Sequence, residues 1–398
     1  MSKRILGLPR NVFILGLTSL FNDFSSEMVF SVFPAFFVSV LHAGASSLGL
    51  VDGVAEGLSN LFKIYSGNLS DRMQKRKLLV TFGYTLSVLT RPLYVLAGSV
   101  GAVMGLRVTD RIGKGLRDSP RDSLISLSVP KEELGRAFGY HRAMDTTGAV
   151  LGPLVAYLIL RLYPGQFNAV FLTAFFVGLL TILTLFFIVD VTMARGAQSR
   201  RVGLIKSFGV LPGGLKIYLA AVFLLSVGSL PVAVMLLKTT GIGLIIADIP
   251  LFYMLYGITY ALFSTPAGRL SDKFGPRRVI FAGYLLLIAA YAVINLATAA
   301  WSLALGFLVF GLFPALTDGT QRAMAARLAP EEVRGGALGW LNAANGFGAL
   351  LAGAGGGYLW QTSGPATAMF VGAAVIVAGL VLLFVSQRGQ LAAGYKNR

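Results

Sequence analysis

Cysteine is absent from all 398 residues, which excludes disulfides and any thiolate-bound metal. Histidine is nearly absent, with two copies, so neither a histidine-rich metal centre nor a nucleophile–histidine–acid constellation is expected. Charge is scarce: Asp, Glu, Lys and Arg make up 13% of the chain, against 55% hydrophobic residues. With a mean hydropathy of +0.73, this composition excludes an ordinary soluble domain. Apolar runs that can enter a bilayer stand at 11–21 with 28–41, 78–90, 168–189, 215–237, 279–306 and 366–386. The apolar stretch after Lys3, Arg4 and Arg10 is too long for a cleavable signal peptide and lacks its small-residue cleavage site.

Acid is rarer than base, 17 residues against 34, for a net charge of +17. In a soluble protein that excess would point to nucleic acid, but its distribution points elsewhere. Loops at 65–77, 127–136, 190–216, 267–278 and 327–335, with the two termini, hold 23 of the 34 Lys and Arg. The alternate loops hold only Arg161 and Lys238. This is the positive-inside asymmetry: both termini are expected in the cytoplasm, the number of spans is even, and no nucleic-acid partner is expected.

Two segments repeat. Residues 67–84 and 268–284 share Gly-x-Leu-Ser-Asp, a basic cluster, an apolar run and Gly-Tyr, offset by 201 residues at the start and 200 at the end. Residues 130–152 and 330–352 match at the same spacing, with Gly135/Gly335, Ala137/Ala337, Gly139/Gly339 and Gly148/Gly348 coinciding. Two pairs in register imply two homologous halves of six spans each. The expected division is 1–189 for the N-terminal bundle, 190–214 for a basic, Gly-containing cytoplasmic linker, and 215–398 for the C-terminal bundle with a short cytoplasmic tail. The expected spans are 11–41, 47–66, 78–98, 101–126, 136–160, 168–189, 215–238, 248–266, 279–299, 301–326, 336–360 and 366–386.

The stretch 110–122 concentrates seven charges in thirteen residues. A loop there would leave span four too short, and its Gly-Lys-Gly lacks the spacing of a phosphate-binding loop. A membrane helix with a polar strip remains. Arg107, Asp110, Arg111, Lys114, Arg117, Asp118, Arg121 and Asp122 recur every three to four residues and share one side. That side must face protein or water, because each charge on lipid costs about 2.5–3.5 kcal/mol or more. Similar stripes run along span one (Ser19, Asp23, Ser26, Glu27, Pro34) and span two (Asp52, Glu56, Ser59, Lys63). Span five carries His141, Arg142 and Asp145. Away from span ends the second half offers only Asp318 and Arg322, with Lys238 and Asp248 near span ends, amides Asn342 and Asn345, and aromatic residues such as Tyr253, Tyr256 and Tyr260. Arg91, beside Pro92 on span three, is an exception that predicts a local break.

Gly67, Asp71, Arg72, Lys75 and Arg76 resemble the signature between spans two and three of the major facilitator superfamily, and Gly268, Asp272, Lys273, Gly275, Arg277 and Arg278 resemble its second copy. Gln74 replaces a usual glycine. Arg111, Lys114 and Gly115 fall where that family has an arginine and a glycine on span four. Gly139, Gly148, Gly152 and Pro153 resemble the antiporter motif on span five, with Ala156 and Tyr157 where two small residues are usual. The resemblance implies an all-α membrane fold of 12 transmembrane helices, two six-helix bundles around a central cavity lined by spans one, four, seven and ten. The glycines would let helices approach and slide, Pro153 would permit a bend, and Asp71 with its twin Asp272 would gate one face.

The expected function is secondary transport of a small amphipathic or anionic solute by alternating access, as proton-coupled export. Substrate binding is expected of Arg107, Arg111, Lys114, Arg117, Arg142, Asp318 and Arg322, and proton coupling of Asp23, Glu27, Asp52, Glu56 and Asp145. The alternatives are a generic multidrug efflux pump, an uptake symporter of an organic anion, and, in another class, an intramembrane enzyme, for which no constellation is present. No cofactor is expected, the proton gradient being the energy source. The expected partners are solute, protons and lipid, for a monomer in a bacterial-type inner membrane.

Overall fold

The computed structural model describes residues 4–73, 75–130, 133–190, 208–330 and 333–385, without the side chains of 67–73. The side chains of the motif residues Gly67, Asp71 and Arg72, and most of the expected linker, therefore lie outside the description. The described chain is helical apart from a two-stranded hairpin, β1 (Arg4–Ile5) and β2 (Leu8–Pro9). Leu6 and Gly7 form its turn with positive φ, and Arg4 bridges to Glu133 at 2.8 Å.

The helices are α1 (Arg10–Ser39), α2 (Ala45–Met73), α3 (Arg76–Leu93), α4 (Val100–Leu127), α5 (Leu134–Leu162), α6 (Phe167–Leu185), α7 (Gly213–Val227), α8 (Val232–Leu236), α9 (Ile249–Phe274), α10 (Pro276–Leu296), α11 (Ala300–Leu328), α12 (Arg334–Ser363) and α13 (Pro365–Val385). Every expected span has its helix. Eight of the segments are long and apolar enough to cross a membrane by composition. α1, α2, α4 and α12 are not among them: the first three carry internal charges, and α12 is rich in Gly and Asn.

Span seven differs from expectation, because α7 stops at Val227 and α8 starts at Val232. Pro231 has no N–H to continue the helix. The freed backbone is held by one side chain: Leu230 N–H donates to the Tyr291 hydroxyl at 2.7 Å, and that hydroxyl donates to the Gly228 carbonyl at 3.0 Å. Gly228 packs on Gly372 of α13, where an added Cβ would meet a carbonyl oxygen at 2.6 Å. Span three does not break at Pro92: α3 runs to Leu93 and tightens into a 3₁₀ turn at Tyr94–Leu96.

By contact the chain forms two compact units. The first comprises 1–43, 58–198 and 245–257, and the second 44–57, 199–244 and 258–398. In the first, Gly148 and Gly152 press α5 on α1, and a Cβ at Gly152 would lie 2.6 Å from the Phe24 carbonyl and 2.9 Å from the Met28 nitrogen. In the second, Gly53 and Gly57 of α2 fit against α12, where a Cβ would meet the carbonyls of Ala349 and Leu350 at 3.0 Å and of Gly346 at 3.2 Å. Gly353 and Gly357 complete that contact from the α12 side. The run 353–357 is thus a packing surface. Gly268 corrects the expectation of close approach: among the described residues nothing lies within 4 Å of a Cβ built there.

The duplication is visible in the packing. Gly83 of α3 faces the Gly113 carbonyl and the Arg117 Cβ of α4, and Gly283 of α10 faces the Phe313 carbonyl and the Thr317 side chain of α11. The contrast between the tight and open glycines is testable by thermal unfolding of the purified protein. Gly152→Val overpacks the α1–α5 contact and is expected to cost about 1–3 kcal/mol. Gly268→Ala is expected to leave stability unchanged or raise it by up to about 1 kcal/mol, through helix propensity.

Candidate functional site

α4 is continuous through 110–122, so the charge-dense stretch is a helix. Its ionic residues turn inward as the strip requires: Arg107 is 3% exposed, Arg117 4% and Arg111 8%. In the first unit these groups find three kinds of partner.

The first is aromatic. The Arg107 guanidinium lies 4.2 Å from the Phe30 ring centroid and 5.3 Å from Phe33, and Arg111 lies 5.8 Å from Phe30. Phe30 meets Tyr253 edge-on at 5.2 Å, and Tyr253 stacks on Tyr256 at 6.0 Å. The Tyr253 hydroxyl donates to Glu27 at 2.6 Å. Glu27, Phe30, Arg107, Arg111 and Tyr253 thus form one cluster.

The second partner is an opposite charge. Arg107 reaches Asp110 at 3.7 Å, Arg121 reaches Asp118 at 3.6 Å and Asp122 at 2.9 Å, and Lys63 reaches Asp118 at 3.8 Å. Asp118, Arg121 and Asp122 thus form an ion-pair network at that end of the strip.

The third is neutral and polar. Arg91, 2% exposed on α3, donates to the Asn22 side-chain oxygen at 2.8 Å and to its backbone carbonyl at 3.3 Å. The Asn22 amide donates to Asp23 at 3.0 Å. A cavity of about 10 Å³ beside them is lined by Ser26, Thr90, Arg91, Tyr94, Arg107 and Asp110, with Val29. On α5, Asp145 accepts a hydrogen bond from Ser19 and lies 3.4 Å from the His141 Nδ1.

The expected site residues separate accordingly. Arg107 and Arg111 are buried in the first unit, and Asp23, Glu27, Asp145 and Lys114 are partly buried there. Arg117 is a correction. It turns to α3, donating to Ser87 at 2.8 Å with its guanidinium 4.4 Å from the Tyr84 ring, so it joins two helices instead of facing a solute. Arg142 is exposed on α5. Asp52 and Glu56 fall in the second unit, as do Asp318 and Arg322, both exposed. Asp318 accepts from the Tyr260 hydroxyl at 2.8 Å. Asp272, 80% exposed, pairs with Arg327 at 3.3 Å. Pro153 is buried within an unbroken α5.

Sequence reasoning missed three residues. Asn22 bridges Arg91 to Asp23, and its amide beside an intramembrane acid was the signal. Tyr253, counted above only among the second half's aromatic residues, is the hydrogen-bond donor to Glu27. In the second unit Gln321 donates to the Tyr284 hydroxyl at 2.9 Å and accepts from Asn345 at 3.2 Å, while Tyr218 donates to its backbone carbonyl at 2.9 Å.

A duplicated set of membrane helices with ionic groups held inside them defines a secondary transporter by architecture. The comparisons agree. The model of the Major Facilitator Superfamily matches residues 15–252 and 217–394, and the chain belongs to that superfamily. It is a multi-pass membrane transporter and not an enzyme. An uncharacterized MFS-type transporter of Methanocaldococcus jannaschii is 36% identical over 390 residues, covering 95% of each chain. The multidrug resistance protein MdtH of Cronobacter sakazakii is 26% identical over 339 residues, covering 83% of each. Among solved structures, a nucleoside transporter, NupG, superposes with a TM-score of 0.81 at 14% identity, covering 94% of this chain and 99% of that one.

The Arg91–Asn22 contact yields a stability test. Arg91→Met leaves a buried amide oxygen unpartnered and is expected to cost about 1–3 kcal/mol. In thermal unfolding the double variant with Asn22→Ala should lose less than the sum of the single changes, by about 0.5–3 kcal/mol.

Proposed function

We propose that the protein exports a small amphipathic or anionic solute in exchange for protons, by alternating access, across a bacterial-type inner membrane with both termini in the cytoplasm. One observation carries this reading. Among the described residues, Asp23 and Glu27 take hydrogen bonds from neutral donors, Asn22 and Tyr253, whereas Asp110, Asp118 and Asp122 each face a guanidinium. A guanidinium at ion-pair distance fixes a carboxylate as the anion, while a neutral donor leaves its protonation open.

The coupling follows from that arrangement. Exchange requires the proton-loaded and solute-loaded states to exclude each other. A solute seated in the Glu27–Arg111 cluster and the protons of Asp23 and Glu27 compete for the same groups, so loading one displaces the other. The Arg107 and Arg111 guanidiniums suit a planar anionic group, and the rings of Phe30, Phe33, Tyr253 and Tyr256 suit an apolar body. Relatives named as multidrug resistance proteins support the outward direction, and they favour a second reading, a multidrug pump of broad range.

A thermal-shift screen of organic anions, cations and neutral amphiphiles against purified protein separates the two, since a single anionic class is expected to stabilise it. With that solute, binding should weaken at least about tenfold in Arg111→Ala, and also in Arg111→Lys where bidentate contact is lost. In vesicles with an imposed pH gradient, Asp23→Asn and Glu27→Gln should abolish accumulation against a gradient yet keep downhill exchange. Accumulation in both acid variants would move the proton path elsewhere.

A further inference from the structure

We infer that the second unit carries a binding site for an anionic phospholipid, where α9 turns into α10. A cavity of about 800 Å³ opens there, lined by Phe274, Arg277, Arg278, Phe281, Leu285 and Arg327 among others, with no acidic residue in its wall. Gly275, at φ 88°, makes the turn that sets the two arginines on the first turn of α10. Arg277 is braced: it donates to the Phe384 carbonyl at 2.7 Å, and its guanidinium lies 5.1 Å from the Phe384 ring centroid. Arg278 is exposed and has no hydrogen bond or ion pair among the described residues. The third cation, Arg327, is tied among the described residues only to Asp272, and both groups are open to solvent, which screens the pair.

The cations occupy one end of the cavity and the apolar wall runs away from them. Phe281 and Leu285 follow Arg277 at one-turn intervals along α10, and they are 36% and 48% exposed. A soluble phosphate would satisfy the guanidiniums and leave those side chains uncovered. A glycerophospholipid satisfies both: its phosphate takes the arginine forks, and its acyl chains lie along Phe281 and Leu285. An anionic headgroup is favoured over a zwitterionic one, because choline would bring a fourth cation against three arginines. An occupant here also competes with Asp272 for Arg327.

The test is native mass spectrometry of the full chain in detergent with equimolar dioleoyl-phosphatidylglycerol and dioleoyl-phosphatidylcholine. It reads binding, so its outcome is independent of what the protein transports. The unaltered protein is expected to retain the glycerol lipid over the choline lipid by about tenfold or more, and Arg277→Gln with Arg278→Gln to remove the preference. Arg278→Gln alone, which leaves the Arg277 brace intact, should reduce the preference and decides the matter if the double variant does not fold. Arg161→Gln, at an exposed cation in the last turn of α5, should match the unaltered protein. Equal retention of both lipids, or an undiminished preference in Arg278→Gln, would overturn the proposal. Displacement of the lipid by millimolar inorganic phosphate would make this a soluble-anion site and overturn it as well.

Discussion

An ion inside a membrane helix has to be matched by its neighbours, and much of the first unit is organised by that constraint. Lipid cannot solvate a guanidinium, so each buried arginine draws another helix toward it. Arg107 and Arg111 bring α4 against the phenylalanines of α1. Arg117 joins α4 to α3 through Tyr84 and Ser87. Arg91 joins α3 to α1 through Asn22. Three helices are thus held by polar groups, where apolar packing alone would give little preference for protein over lipid.

The duplicated half answers the same packing problem without ions. At the 200-residue spacing, Arg107, Asp110, Arg111 and Lys114 become Phe307, Phe310, Gly311 and Pro314. Arg117 becomes Thr317, and its backbone neighbour Gly83 becomes Gly283, which packs on Thr317 as Gly83 packs on Arg117. Arg121 becomes Gln321, which reaches Tyr284. The helix contacts survive because they rest on glycine and backbone, while the side chains between them are free to change polarity. One skeleton therefore carries an ionic interior in one copy and an amide–hydroxyl interior in the other.

The sequence made the skeleton readable because repeats and apolar runs are local patterns. The inward strip on α4 was readable for the same reason, since helical period alone decides which residues share a side. Period does not decide which neighbour that side meets, so Arg117 could not be told from Arg111 before the fold was known. The break after Val227 was hidden because its remedy, the Tyr291 hydroxyl, lies more than 60 residues downstream. Gly268 was overread: its motif twin invited a packing role, but a glycine's use depends on what approaches it, and nothing described does. Asn22 and Tyr253 escaped because a neutral donor beside a carboxylate leaves no trace in charge patterning.

The exchange of segments 44–57 and 245–257 between the compact units bears on how the protein is made. A chain emerging from the ribosome delivers residue 198 well before residue 257, so the first unit is missing a piece, including the Tyr253 that serves Glu27, until synthesis is well into the second half. The second unit in turn uses a stretch of α2 that was synthesised near the beginning. Neither half can reach its final packing as an independent intermediate, in contrast to multidomain chains that fold one domain at a time from the N-terminus. Membrane insertion of the individual helices can proceed in order, but the first unit has to wait for residue 257 and the second for nearly the whole chain.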